Sequence, residues 1–160
     1  RLDVILIALP YETSDLTIVH LFDDGYQLAV PVGHHFGKQT EVNGADLETH
    51  KLLLLENGHC LQRHALSAFP QAILHRDETF AATSLTTLMA MVEEGLGMTL
   101  LPELAIDAGV TRGNDIELLP LKGACPRRIA LAWRPASVRS ADFEALAVIF
   151  RNARQAISRI

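Results

Sequence analysis

Residues 52–61, LLLLENGHCL, join a short apolar run to the first residues of a helix. The run Leu52–Leu55 has the length of a buried strand, and the helix after it extends to about Phe69, where Pro70 ends it. Cys60 therefore stands just after a strand and at the start of a helix. Strands and helices continue to alternate along the chain, which predicts an α/β fold with an open parallel or mixed sheet.

Two interruptions in this pattern divide the chain into lobes. They lie near Phe22–Tyr26 and Leu121–Arg128, and we predict that both segments cross between two lobes. Residues 25–127 would form lobe II, and residues 1–24 with 128–160 would form part of lobe I. Val4–Leu9 is apolar throughout and predicts the interior of a parallel sheet that is covered on both faces. Because so few residues precede that strand, we expect the chain to be a fragment in which lobe I is incomplete.

The composition indicates a folded domain that does not itself bind DNA. Of the 160 residues, 49% are hydrophobic and 21% are charged, so the chain has enough apolar material for a core. Its net charge of −5 repels phosphate backbones. No apolar run approaches the roughly 18–20 residues that span a bilayer, and the sequence shows no signal peptide. We therefore predict no membrane association and a cytoplasmic location, in which the cysteines stay reduced.

Cys60 is the first candidate functional residue. A helix N-terminus places positive partial charge beside its sulfur and favours the thiolate, and a protonated His59 would act in the same direction. A thiolate attacks peroxide whereas a thiol does not, so this arrangement suits a peroxide-reactive cysteine. The residue types alone leave a second interpretation open, because most lone cysteines in α/β domains are inert parts of the core.

The segment LENGHCL at 55–61 resembles the sensing segment of the OxyR family of hydrogen-peroxide sensors, which are LysR-type transcriptional regulators. The similarity continues in ATSL at 82–85, GLGMTLLP at 95–102 and PRR at 126–128, and it runs from Leu2 to about Phe150. The resemblance implies the LysR substrate-binding fold, which has two periplasmic-binding-protein-like lobes. It also implies a winged-helix DNA-binding domain before residue 1, and a homodimer or tetramer that binds promoter DNA through that domain.

The same resemblance assigns roles to individual residues. Cys60 matches the cysteine that hydrogen peroxide oxidises to a sulfenic acid, and His59 matches its neighbour in the sensing pocket. Arg128 matches the basic residue that holds the thiolate, and Arg127 is a weaker match to it. Together these residues form the predicted redox-sensing site.

The sequence departs from the OxyR pattern at one position. In that family a resolving cysteine occupies the place that Phe69 holds here, nine residues after Cys60. Three hypotheses remain open. Cys60 signals as a sulfenic acid or as a mixed disulfide with a small thiol; Cys125, the only other thiol in the sequence, pairs with it; or the domain is redox-silent and binds a small effector between the lobes. For the third hypothesis, Thr83 and Ser84 match the loop that lines the family's effector cleft, where hydroxyls and a helix N-terminus suit a polar or anionic molecule.

Other functions fit the sequence less well. His59, Cys60 and His64 supply three potential zinc ligands but no fourth is evident, so we expect surface or cleft histidines, no metal and no other cofactor. A nucleophile–base pair of Cys60 with His59 or His64 lacks a third group to orient it, so we do not expect an enzyme. A solute-binding protein would need an export signal and a complete first lobe.

Overall fold

The structure, a computed structural model, describes residues 2–56 and 60–157. The chain divides into two compact units, one made of Arg1–Asp24 with Arg127–Ile160 and the other of Gly25–Pro126. Among the described residues the strands are β1 (Val4–Leu9), β2 (Thr17–Asp24), β3 (Tyr26–Pro31), β4 (Val42–Asn43), β5 (Lys51–Leu55), β6 (His75–Ala82), β7 (Thr99–Pro102), β8 (Ile116–Lys122) and β9 (Arg127–Trp133). The α-helices are α1 (Gly44–Leu47), α2 (Cys60–Leu66), α3 (Leu85–Glu93), α4 (Glu103–Asp107) and α5 (Ser140–Ile157), and a 3₁₀ turn covers His35–Lys38.

The unit that contains both chain ends is a three-stranded sheet with one long helix. Its strand order is β1-β9-β2, and β9 pairs antiparallel with both neighbours. Helix α5 packs against β2 and β9. Its buried Phe143 lies against Trp133 of β9, with the two ring centroids 5.5 Å apart.

The prediction for β1 is wrong in strand direction. The strand occupies the predicted residues Val4–Leu9, but it is antiparallel to β9, and Leu6 is 53% exposed rather than covered on both faces. A continuous apolar run predicts a strand, but it does not specify the direction of the neighbouring strand. The sequence therefore located this strand without defining its partner.

The second unit contains a larger sheet, in which β4, β8, β3 and β7 are neighbours in that order. Strand β3 pairs antiparallel with β7 and β8, whereas β4 with β8 and β5 with β6 are parallel. The backbone N–H of Leu53 donates to the carbonyl oxygen of Met98 at 2.8 Å and links β5 to the residue before β7. The sheet is therefore mixed, which is one of the two arrangements that the sequence predicts.

Strand β5 shows how the sequence produces this layered unit. Alternate residues of a strand point to opposite faces. Leu52 and Leu54 join a core cluster that includes Phe69, whereas Leu53 and Leu55 join a second cluster that includes Met89 of α3. Both faces of β5 are covered from Leu52 to Leu55, and these four residues are all apolar, whereas Lys51 at the start of the strand is exposed. The predicted α/β class is confirmed.

The last turn of α3 is joined to the segment before β8 by the carboxylate of Glu93. Its Oε1 accepts from the backbone N–H of Asp115 at 2.9 Å, and its Oε2 accepts from the Asn114 amide at 2.7 Å. These two hydrogen bonds hold the pKa of the Glu93 carboxyl group below its ordinary value, and the bond from Asp115 has the larger effect. A carboxyl group with a lowered pKa in the folded state stabilises the fold above its unfolded pKa, and that stabilisation is lost as the pH falls through the folded pKa.

We expect Glu93→Gln to lower the melting temperature at pH 7 and to have a smaller effect as the pH falls below about 4, where the wild-type carboxyl group also loses its charge. Thermal unfolding at several pH values measures the difference. Glu94→Gln is the matched control, because Glu94 is adjacent and exposed and should show little effect at any pH. An equal shift for Glu93→Gln at pH 7 and at pH 3.5 would contradict the role of the charge.

Candidate functional site

Cys60 is the first residue of α2, close after the end of β5 at Leu55, as the sequence predicts. Its thiol is free and exposed. His59 lies outside the described residues, so its predicted place beside Cys60 stays a prediction. The site therefore has an accessible sulfur at the beginning of a short helix.

Helix α2 is shorter than the sequence indicates and ends at Leu66. After it, the Ser67 hydroxyl donates to the Arg63 carbonyl at 2.8 Å, and the Ala68 N–H donates to the Ala65 carbonyl at 3.1 Å. These turn-like bonds replace the helical bonds that the pattern up to Phe69 suggested. Residues Cys60–Leu66 thus form a seven-residue helix that precedes a separate turn.

The buried side of α2 is largely polar. Its buried residues are Gln62, His64 and Ala65. The expectation that His64 is a surface or cleft histidine is wrong, because its side chain is only 3% exposed. His64 lies on the same buried side of α2 as Ala65. The residue types of so short a helix do not show which side that is, so the sequence does not reveal the burial.

Phe69 lies in the core beyond the end of α2 and is 6% exposed. It belongs to the cluster that contains Leu52, Leu54 and Ala68. Its ring lies against Gly44 of α1 so closely that a Cβ on Gly44 would stand 2.8 Å from the Phe69 Cδ1. The aromatic ring at this position therefore has a structural role as a tightly packed core residue.

Cys125 lies in the segment between β8 and β9, and its thiol is also free and exposed. Its backbone N–H donates to the carbonyl oxygen of Ala68 at 2.6 Å. Cys125 and Phe69 line the same cavity of about 350 Å³, together with Gly44. The second thiol of the sequence is thus held beside the turn that follows α2.

Arg127 and Arg128 begin β9 and differ in their surroundings. The Arg127 guanidinium contacts the fully buried carboxylate of Asp24, with Nε and Nη2 each 2.8 Å from Oδ2. Arg128 is exposed, and within the described residues its side chain forms no hydrogen bond or ion pair. Of the two arginines, Arg128 is thus the one whose charge is not already paired, and its predicted role near the Cys60 thiolate stays a prediction.

Thr83 and Ser84 stand between β6 and α3. Ser84 is the N-cap of α3, and its hydroxyl accepts from the Thr87 backbone N–H at 3.1 Å and contacts the Thr87 hydroxyl at 3.0 Å. Both Thr83 and Ser84 are exposed. The Ser84 hydroxyl therefore stabilises the start of α3, and the predicted contact of the pair with an effector stays a prediction.

Two further observations apply to the part of the chain that the structure describes. No group of three or more His, Cys, Asp or Glu side chains there has a geometry that could hold a metal ion. None of the helices in residues 2–56 and 60–157 is both long and apolar enough to span a membrane.

The fold agrees with comparisons to known proteins. Residues 1–155 match the LysR substrate binding domain family, and the chain belongs to that family. It is 38% identical over 151 residues to the DNA-binding transcriptional dual regulator OxyR of Escherichia coli. The matched region covers 94% of this chain and 50% of that relative. The chain therefore spans about half the length of the curated relatives it matches.

Solved structures show the same relationship. The reduced regulatory domain of OxyR2 from Vibrio vulnificus superposes with a TM-score of 0.81 at 34% identity, covering 94% of this chain and 71% of that one. A cysteine-to-serine mutant of OxyR from Corynebacterium glutamicum, with H2O2 bound, gives a TM-score of 0.85 at 31% identity, covering 97% of this chain and 50% of that one. The chain thus has the fold of the regulatory domains of OxyR proteins.

Proposed function

We propose that this chain is the regulatory domain of an OxyR-like transcriptional regulator and that it senses hydrogen peroxide through Cys60. The observation that carries the proposal is the exposed, free thiol at the first residue of α2. This thiol lies in a chain 38% identical to the transcriptional regulator OxyR. The H2O2-bound relative from Corynebacterium glutamicum supports peroxide as the ligand.

The proposed chemistry begins with the Cys60 thiolate. Its sulfur attacks one oxygen of hydrogen peroxide, the O–O bond breaks, and the departing hydroxide takes up a proton to form water. Cys60 becomes a sulfenic acid, and peroxide is reduced. His59 and Arg128 are proposed to support the thiolate, with Arg128 the stronger candidate of the two arginines because the Arg127 guanidinium is occupied by Asp24.

The signal would pass from Cys60 to the rest of the regulator through α2. A seven-residue helix is too short to be stable alone and depends on its packing. A change of charge and bonding at its first residue would shift the balance between packed and unpacked states. In the whole protein, we propose, this change alters how subunits of a dimer or tetramer meet, and so how their DNA-binding domains contact a promoter.

We expect low-micromolar peroxide to oxidise Cys60 within seconds while Cys125 of a Cys60→Ser variant stays reduced. Alkylation of the remaining thiols with N-ethylmaleimide, followed by peptide mass mapping, measures the oxidised fraction of each cysteine. Cys125→Ser is the matched control, because it also replaces an exposed cysteine and should still lose the Cys60 thiol.

A Cys60 thiol that stays reduced under peroxide that oxidises a two-cysteine relative would contradict the proposal. The domain would then be redox-silent, and the exposed Thr83 and Ser84 would be the place to seek a small effector.

A further inference from the structure

Four aromatic rings lie together between the 3₁₀ turn after β3 and the segment that joins α1 to β5. We call this group the histidine cluster, and it consists of His34, His35, Phe36 and His50. The ring centroids of His34 and His35 are 4.2 Å apart, and those of His35 and His50 are 5.5 Å apart. Phe36 is 3% exposed and belongs to the core, with its ring centroid 5.1 Å from that of His50. The cluster therefore connects the 3₁₀ turn to the residue before β5.

His34 also caps the 3₁₀ turn. Its Nδ1 accepts a hydrogen bond from the backbone N–H of Phe36 at 3.3 Å. A ring nitrogen accepts a hydrogen bond only when it carries no proton, so this bond needs a neutral imidazole with its proton on Nε2. Both nitrogens of a protonated imidazole are donors. Protonation of His34 therefore breaks the bond that caps the turn.

His50 keeps its hydrogen bond in both charge states. Its Nδ1 lies 3.0 Å from the carbonyl oxygen of Asp46, which can only accept, so Nδ1 carries the proton and donates. The Thr49 hydroxyl oxygen lies 3.1 Å from the same nitrogen and can share that proton. A second proton enters at Nε2 and leaves these contacts in place. Acid thus charges His50 without releasing it, so the 3₁₀ turn is the side of the histidine cluster that can move.

The surroundings of His34 oppose its protonation. Burial, and after it the positive charges that His35 and His50 can carry, hold the pKa of His34 below its ordinary value of 6.5. Glu117 of β8 acts in the opposite direction and more weakly, and its Oε1 accepts from the backbone N–H of Gly33 at 3.2 Å. The unfolded chain therefore takes up this proton at a higher pH than the folded turn does. As a result, the turn loses stability as the pH falls from about 6.5 through the lower folded pKa.

We propose that the histidine cluster is a pH-sensitive switch, in which protonation of His34 releases the 3₁₀ turn from His50. The lost cap and the repulsion between imidazolium rings as close as those of His34 and His35 both favour the released state. Phe36, which the turn carries, then leaves its buried position. Only a proton is taken up, so the change reverses when the pH rises. The switch does not depend on the oxidation of Cys60, and it gives the domain a response to acid beside the proposed response to peroxide.

The variant His34→Asn separates capping from titration, because asparagine caps a helical turn through its side-chain oxygen but takes up no proton. We expect NMR spectra of the wild type to show contacts between the Phe36 and His50 rings at about pH 7.5 and to lose them at about pH 5.5. Exchange of the Phe36 amide hydrogen, corrected for its intrinsic pH dependence, should become about tenfold faster over the same range. In His34→Asn the contacts and the exchange rate should not change. His75→Asn is the matched control, because it removes an exposed histidine outside the cluster and should respond to pH as the wild type does.

Three results would overturn the switch. In the first, the wild type keeps the contacts between Phe36 and His50 at the lower pH. In the second, His34→Asn lacks these contacts at the lower pH, as the wild type does. In the third, far-UV circular dichroism shows that the whole domain unfolds over the same range, so that the turn does not respond separately. The reaction of Cys60 with peroxide is measured at the higher pH, where the turn stays packed, so the failure of one proposal leaves the other standing.

Discussion

Arg127→Met is expected to lower the free energy of unfolding by about 3–5 kcal/mol, because the buried Asp24 carboxylate loses the guanidinium that contacts it. Asp24 is fully buried and Arg127 is 15% exposed, so water screens neither partner effectively. The two residues face each other as register partners in β2 and β9, where Asp24 ends the first segment of its unit and Arg127 begins the second. Urea unfolding followed by fluorescence of Trp133, in the same strand as Arg127, measures the effect.

Two variants test whether the cost comes from the loss of this ion pair. Arg128→Met makes the same chemical change at the next residue, where the side chain is exposed, and should alter stability by no more than about 0.5 kcal/mol. Combining Asp24→Asn with Arg127→Met removes both charges, so the double variant should be more stable than Arg127→Met alone. Equal effects of Arg127→Met and Arg128→Met would show that the ion pair does not stabilise the fold.

Phe69→Ala is the second change with a large expected effect, a loss of about 3–5 kcal/mol. The ring packs tightly against Gly44 within the buried core cluster, so its removal leaves a cavity in a densely packed region. Chemical unfolding monitored by circular dichroism gives the stability of the variant relative to the wild type.

Phe80→Ala is the matched control for Phe69→Ala. Phe80 of β6 is 37% exposed, so the same truncation there removes much less buried surface and should cost far less. A similar loss in both variants would mean that Phe69 is not a tightly packed core residue.

Much of the fold could be predicted from local patterns. The apolar run Leu52–Leu55 predicts the position of β5. By residue type either Thr83 or Ser84 can cap the helix that follows, and the structure shows Ser84 in that place, where its hydroxyl accepts from the Thr87 backbone N–H. The end of α2 was harder to predict, because Ala68 and Phe69 continue its apolar spacing although the backbone there forms a turn. Helix ends depend on a few competing hydrogen bonds that the spacing of side chains does not encode.

The candidate site was only partly predictable. The place of Cys60 at the start of a helix was evident from the sequence and is confirmed. The burial of His64 was not evident, because the pattern of one short helix does not show which polar residue turns inward. The ion pair between Arg127 and Asp24 was not evident either, because the two residues are separated by 103 positions in the sequence.

By itself, the sequence determined the α/β class, the LysR family and the position of Cys60 at a helix start, because each is written in residues close together along the chain. Only the tertiary structure decided that β1 runs antiparallel to β9, that Asp24 pairs with Arg127, and that Cys125 lies against Ala68. Each of these depends on segments that are distant in sequence and meet only when the sheets and helices pack. Which of these segments meet depends on the free energy of the whole fold and not on any local sequence pattern.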